Sequence, residues 1–405
     1  MMMLMLAWKN IWRNKKRSFI ILTATALGLA GGLFSIGVMT GMYESMVDSA
    51  INRELGNIQL HTVEYKKDQL ISQYLPNVDT IVAVLRSLPD VRSYTEHSMI
   101  EGMASSATTA AGVTIVGIDP DQEQTVTAVS TSLIEGSYLE KKNTVVVGKK
   151  LVDKLRLKLH SRLVISFSGL DGNIIYGAFR IGGIFKTAAS TFDGTNIFVR
   201  RADMSNLLGH DAPIHEIVVR TKDQFALTAT QQAIQQAVPS SVIVETWREI
   251  SPELKLTADS TDITNEVFLG IILFALLFGL TNTLLMSVLD RVRDFGILLA
   301  VGMYRTRLFT MIILESLFLS FSGGIIGVII GWAVTQYFKT HGIDLSTLSE
   351  GLSSYGIPSI LYPYIKASLY VSLTVMMVLT SIIAALYPAL KAIRLKPVEA
   401  IRTIG

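Results

Sequence analysis

Four uncharged apolar stretches constrain this chain more than any other feature: Ser18 to Met42, Val267 to Leu289, Ser316 to Phe338 and Ala367 to Leu390. Each exceeds the roughly 20 residues that cross a hydrocarbon core as a helix. A backbone in lipid must also satisfy its hydrogen bonds within the segment itself. A polytopic membrane protein follows, with transmembrane helices expected over 18–42, 267–289, 308–338 and 367–390.

The charges between these stretches imply an orientation. Lys9, Arg13, Lys15, Lys16 and Arg17 precede the first, Arg291, Arg293, Arg305 and Arg307 separate the second and third, and Lys391, Arg394, Lys396 and Arg402 follow the fourth. These thirteen cations face only Asp290, Asp294 and Glu399, a net +10. By the positive-inside rule, an amphipathic N-terminus (1–17), the segment 290–307 and the C-terminus (391–405) are expected in the cytoplasm. The block 43–266 and the loop 339–366 then lie on the opposite, periplasmic side. From Tyr43 to Ile263 the chain has 21 Lys and Arg against 26 Asp and Glu, so the overall charge of +3 conceals a basic inner face and a mildly acidic outer domain. Cations beside a bilayer attract anionic lipid, and nucleic acid is not among the expected partners.

Residues 43–266 are numerous enough to bury a core of their own and to form two lobes. The absence of cysteine excludes disulfides, Cys-based zinc sites and thiol catalysis. A basic N-terminus followed by an apolar run is also the pattern of a signal peptide, but the run from Ser18 to Met42 is too long and has no clean small-x-small cleavage site. It reads as an uncleaved first span.

The outer block contains an internal echo. Asn57 to Leu60 reads as a strand, Val78 to Leu88 as a helix with Ile81, Val84, Leu85 and Leu88 on one face, and Val91 to Tyr94 as a second strand. The order repeats with the strand Ile217 to Arg220, a helix from a capping Asp223 to Val238, and the strand Val242 to Glu245. The expected fold is therefore four transmembrane α-helices with a large α+β extracytoplasmic domain between the first and second. That domain has two βαβ-like halves (43–118 and 213–262) forming one subdomain, with a β-rich subdomain (119–212) inserted between them. The insert is read as strands at Thr144 to Val147, Arg162 to Phe167, Ile174 to Ile184 and Asn196 to Val199, a helix at Lys149 to Arg156, and a turn at 171–173.

Catalytic chemistry is not encoded in any motif. A phosphate loop is missing: before Gly148 and Lys149, Asn143 stands where the first glycine belongs, and Lys150 stands where Ser or Thr would hold magnesium. The histidines His61, His97, His160, His210, His215 and His341 show no metal-ligand spacing, and only His210 and His215 are near each other. Glu315 is the one ionisable residue inside an apolar run. It is either a cavity-facing proton or substrate partner, or a headgroup-depth residue paired with Arg307 or the backbone. Gly28, Gly31, Gly32, Gly37 and Gly41 in the first span, and Gly323, Gly324, Gly327 and Gly331 in the third, suit close helix packing. The first-span set is available to pack against the second span of a partner.

The segment Asn282 to Met303 (NTLLMSVLDRVRDFGILLAVGM), with Leu314, Glu315, Ser316, Gly323 and Gly324 after it, closely resembles the signature of the FtsX-like, MacB-type ABC transporter permeases. Tyr387, Pro388, Ala389, Ala392, Arg394 and the run Pro397 to Arg402 are similar to that family's closing motif. Ile134 to Tyr138, with Val147, Gly148 and Leu151, is similar to its extracytoplasmic pattern. Gly183 to Thr187 followed by Asp193 is most similar to the lipoprotein-releasing permeases LolC and LolE.

The resemblance implies a cytoplasmic coupling helix over 290–307, seated in a groove of an ABC ATPase, with Asp290, Arg291, Arg293, Asp294, Gly296, Ala300, Gly302 and Arg305 as its contact residues. Its amphipathic Phe295, Ile297, Leu298 and Val301 suit such a groove, with the charges setting register. It also implies a second permease subunit, identical or homologous. ATP and magnesium are expected on a dimeric partner ATPase, with no cofactor or metal on this non-catalytic chain. The resemblance further implies a location in a bacterial inner membrane and a lipoprotein cargo passed to a periplasmic carrier. Phe34, Val38, Met39 and Met42 near the outer end of the first span, with Phe268, Ile271 and Phe274 of the second, are candidate lipid or lipoprotein contacts, because Met and Phe adapt to irregular acyl chains. The hairpin with Ser166, Asp171, Gly172 and Arg180 is a carrier-docking candidate, although it is short and lacks proline. A MacB-like exporter of peptides or small toxic compounds and a non-transporting regulator of a cell-wall hydrolase remain the alternatives.

Overall fold

The computed structural model describes residues 15–223 and 227–394. The N-terminal cations through Arg13, the closing run from Pro397 to Arg402, and part of the helix expected from Asp223 lie outside the described residues. The chain divides into a helical unit and a sheet-containing unit, the latter comprising 44–257 and 344–360.

Among the described residues, four helices are long and apolar enough to cross a membrane: Lys15–Ala50, Pro252–Asp290, Arg305–His341 and Ala367–Ile393. Each contains one of the expected spans. Within the helical unit, the glycine stripe of the third span packs on the first. A Cβ at Gly323 would stand 3.1 Å from that of Thr25, and one at Gly327 would stand 2.8 Å from the Ala26 carbonyl oxygen. Of the first span's own glycines, Gly31 faces open space, whereas Gly28, Gly32, Gly37 and Gly41 have neighbours inside the same chain. Gly28 faces Leu276 and Gly32 faces Ile272 of the second span, while Gly41 lies under the Tyr362 carbonyl. At Gly28 and Gly32 the surface that was available to a partner's second span is thus occupied by this chain's own, because these small residues let the two helices close together.

Among the described residues, the large sheet of this unit holds ten strands: β1 (Ile58–Thr62), β2 (Val91–Ser105), β3 (Ala110–Ile118), β4 (Leu133–Gly136), β5 (Thr144–Gly148), β6 (Arg162–Ser168), β7 (Ile174–Phe185), β8 (Asn196–Arg200), β9 (Glu216–Thr221) and β10 (Val242–Thr246). β10, β1, β9 and β2 are adjacent in that order and antiparallel throughout. β1 and β2 therefore run the same way with β9 between them, and β9 and β10 do so with β1 between them. The helices Val78–Ser87 and Leu227–Ala237 make the two crossovers. Two split βαβ units interleave, which is the ferredoxin-like arrangement.

The expected boundary at residue 119 falls too late. β2 runs unbroken for 15 residues, pairing with β9 over its first half and with β3 and β6 over its second. From there the pairs β3–β8, β8–β5, β5–β7, β7–β6 and β6–β2 close a six-stranded ring. Ile100, Ile115, Val145, Leu163, Phe179, Ile181 and Val199 form part of its buried core. Residues 98–118 thus belong to the second subdomain, since nothing in Val91 to Ser105 stops the strand. The motif residues Gly148 and Asp193 meet here: a Cβ at Gly148 would collide with the Asp193 backbone. The Asp193 carboxylate accepts hydrogen bonds from the Thr187 backbone N–H at 3.0 Å and hydroxyl at 2.7 Å.

Where β2 passes from one subdomain to the other sits a buried polar cluster. His97 Nε2 lies 2.8 Å from Glu123 Oε2, and Nδ1 lies 3.3 Å from Glu216. Thr95 and Thr127 donate to the Glu123 carboxylate at 2.9 and 2.7 Å. Burial disfavours the charged imidazole, but the two carboxylates outweigh it and raise the His97 pKa to about 10. Burial likewise works against the Glu123 carboxylate, yet His97 and the two threonines hold its pKa below the usual range. His215 is the opposite case. The Met99 N–H donates to its Nδ1 and its Nε2 pairs with the Ile71 carbonyl, fixing a neutral tautomer, and burial lowers its pKa. It makes no pair with His210, which is exposed and bonded to the Asp211 carbonyl.

Candidate functional site: the segment between the second and third spans

Helical geometry ends at Asp290 and is interrupted at Arg291 (φ −113°, ψ 16°) before a short helix, Val292–Ala300. Gly302, at φ +98°, stops that helix. The Met303 N–H reaches back to the Leu298 carbonyl at 3.0 Å and the Gly302 N–H to Leu299 at 3.1 Å. These two bonds form a Schellman motif, and its left-handed position explains the glycine. Tyr304, in extended geometry, then starts the third long helix at Arg305.

The residues expected as coupling contacts divide into two sets. Asp290, Arg293, Asp294, Ala300, Gly302 and Arg305 are exposed. Gly296 and Phe295 are buried, Phe295 in a cluster with Val288, Leu308, Met311, Ile312, Ala389 and Ala392. Arg291 also points inward: its Nη1 donates to both Glu315 oxygens at 2.9 Å. Glu315 is therefore paired with Arg291 rather than with Arg307, whose guanidinium lies 5.3 Å from the Tyr304 ring centroid. The exposed tip has apolar members of its own, with Val301 83% and Tyr304 68% accessible, next to Arg305. Tyr304 was not singled out in the sequence; an aromatic residue directly after a glycine helix stop was the available signal.

The candidate lipid contacts also separate. Phe34, Val38, Met39 and Met42 are half-buried, and the Phe34 ring centroid is 5.5 Å from that of Phe338 on the third span. Phe268, Ile271 and Phe274 are exposed on the second span, where Phe274 makes an edge contact with Phe278. One buried polar contact joins these regions, from Asn265 Nδ2 to the Thr40 hydroxyl at 3.1 Å. In the sheet unit, the β6–β7 hairpin turns through Gly172 at φ +78°. The Asp171 carboxylate accepts from the Asn173 backbone and side chain, which lowers its pKa. Ser166 shares a rung with Met103 and Tyr176. Met103, Leu170, Ile174 and Tyr176 are exposed apolar residues of this hairpin region, and Arg180, paired with Arg162 farther along β7, is exposed as well.

Four membrane-length helices, a two-part domain between the first and second, and an amphipathic segment between the second and third define a polytopic membrane permease. The chain belongs to the FtsX-like, MacB-type ABC transporter permeases: residues 18–237, more than half of it, match the MacB-like periplasmic core domain, and residues 266–397 match the FtsX-like permease C-terminal region. It is similar to the uncharacterized ABC transporter permease MJ1507 of Methanocaldococcus jannaschii, with 26% identity over 229 residues, 55% of each chain. The chain thus spans about half the length of that relative. The uncharacterized permease YvrN of Bacillus subtilis is 23% identical, with 98% of both chains covered. The lipoprotein-releasing system transmembrane protein LolC of Xylella fastidiosa is 22% identical over 302 residues, 71% of this chain and 72% of that one.

Proposed function

We propose that this chain is the permease subunit of an ABC transporter that extracts lipoproteins from a bacterial inner membrane and passes them to a periplasmic carrier. It works by mechanotransmission. A separate ATPase dimer, carrying the ATP and magnesium, closes against the coupling segment, and the spans relay that motion to the domain between the first and second. The N- and C-termini are cytoplasmic and the large domain is periplasmic, in keeping with the +10 balance of the inner segments. A second permease subunit, identical or homologous, completes the assembly.

The observation that carries this reading is the tip at Val301 and Tyr304. Two exposed apolar side chains held by a rigid helix stop, with Arg293 and Arg305 nearby, suit a groove whose charges set register. The lipoprotein cargo is supported by the similarity to LolC and by the exposed Phe268, Ile271 and Phe274. A MacB-like exporter of peptides or small toxic compounds is the second reading, favoured by the MacB-like core domain match.

The test is purification from native membranes in mild detergent, with mass spectrometry of what accompanies the chain and a photo-crosslinker at Met42 or Phe268. An ABC ATPase and lipid-modified proteins are expected. Crosslinks confined to phospholipid, with a periplasmic adaptor co-purifying, would favour the exporter.

A further inference from the structure

The second long helix and the short coupling helix are separate elements, because the backbone leaves helical geometry at Arg291. A break of this kind acts as a hinge, and a push on the tip would be absorbed in bending it. The Arg291 side chain sits at the break and bridges the coupling helix and the third span. It bonds to both oxygens of Glu315 on the third span at 2.9 Å, and its guanidinium lies 5.0 Å from the ring centroid of Phe295 on the coupling helix. One residue thus touches the elements before and after the tip.

The pair is enclosed, with the Arg291 side chain 13% and that of Glu315 8% exposed. A buried ion pair contributes little net stability compared with apolar side chains of the same volume. Its distinctive property is a directional connection, which apolar packing lacks. The fit is also incomplete. Both contacts use Nη1, and Nε of Arg291 is buried without a hydrogen-bond partner. A carboxylate can instead take two parallel bonds from Nε and a terminal nitrogen of the same guanidinium. That edge of the guanidinium, Nε with Nη2, faces away from Nη1, so turning of the Arg291 guanidinium as the coupling segment moves would present it to Glu315 and give the same two side chains a second, discrete arrangement.

We propose that Arg291 and Glu315 form the linkage by which displacement of the coupling segment moves the third span, exchanging one pairing for the other as the ATPase closes. Both are positioning residues, and the inference rests on the coupling role given above. The chain's lack of cysteine permits spin labels at Asp259→Cys, in the second long helix, and Gln336→Cys, near the outer end of the third. Pulsed dipolar spectroscopy would be recorded on the complex with its co-purified ATPase, without nucleotide and with ATP plus vanadate.

The distance distribution should shift in the otherwise native complex. The shift should vanish in Glu315→Gln and in the paired Arg291→Met and Glu315→Met variant, while both retain the ATPase. The Met pair guards against misfolding caused by an uncompensated buried charge. An undiminished shift in either variant overturns the inference. Loss of the ATPase from the Met pair also overturns it, since the ion pair would then hold the docking tip instead of relaying motion. If the native chain brings down no ATPase, the proposed function itself fails.

Discussion

Thr281 on the second span donates its hydroxyl to the Ala384 carbonyl on the fourth, at 3.2 Å. Ala384 is the residue four before Pro388, which lies inside that helix and has no N–H to offer the carbonyl. A side chain from another helix satisfies the group that the proline leaves open, as lipid cannot.

Replacing Thr281 with Val should therefore destabilise the protein by about 1 kcal/mol, the scale of interhelical hydrogen bonds in membranes. Pro388→Ala restores the helix's own bond, so Thr281→Val should cost less in that background. Thermal unfolding of the four variants in detergent measures this coupling, and strictly additive effects would refute it.

The buried His97 and Glu123 pair predicts a pH dependence. The His97 pKa is raised to about 10, so its stabilisation is fully present below its ordinary value near 6.5 and is lost as pH rises through 10. Glu123 is lowered, so its share is present above its ordinary value and is lost as pH falls toward its folded value. Thermal stability should decline from pH 7 to 10, and the decline should flatten in His97→Gln. Equal slopes in both proteins would show that the pair does not titrate as argued.

The coupling segment separates docking from packing. Val301→Asp and Tyr304→Ala alter exposed side chains, so they should leave the unfolding midpoint nearly unchanged while reducing the ATPase recovered on purification at least several-fold. Phe295→Ala empties a site that is 1% exposed and should cost about 3 to 5 kcal/mol. Undiminished ATPase recovery in both tip variants would move the docking surface elsewhere.

Orientation is testable on the same cysteine-free chain. Cysteines at Ser166, Ser240 and Ser353 should react with an impermeant thiol reagent in intact cells, and one at Val301 should react only after the membrane is opened. Labelling of Val301 from outside would invert the topology.

The spans were legible in the sequence because lipid imposes a local rule on each one separately: enough consecutive apolar residues, with cations gathered beside them. Several strands were legible for a similar reason. The alternation around Arg162 to Phe167 and the turn at 171–173 are local signals, and β6, β7 and their hairpin appear at those positions. The glycine at 302 was noticed, but its role as a helix stop required the hydrogen bonds to Leu298 and Leu299.

The amino-acid sequence alone determined four helices long and apolar enough to cross a membrane and one large domain between the first and second, because hydrophobic length acts segment by segment. Tertiary structure decided which partners meet. Arg291 takes Glu315 where Arg307 was the nearer choice in sequence, Gly28 and Gly32 are filled by this chain's own second span, and β2 carries on to close a six-stranded ring. Each of these outcomes joins residues remote in the chain or turns on which way a side chain faces. Shape complementarity and the satisfaction of buried polar groups select such contacts only once whole elements pack together, and no local periodicity records them.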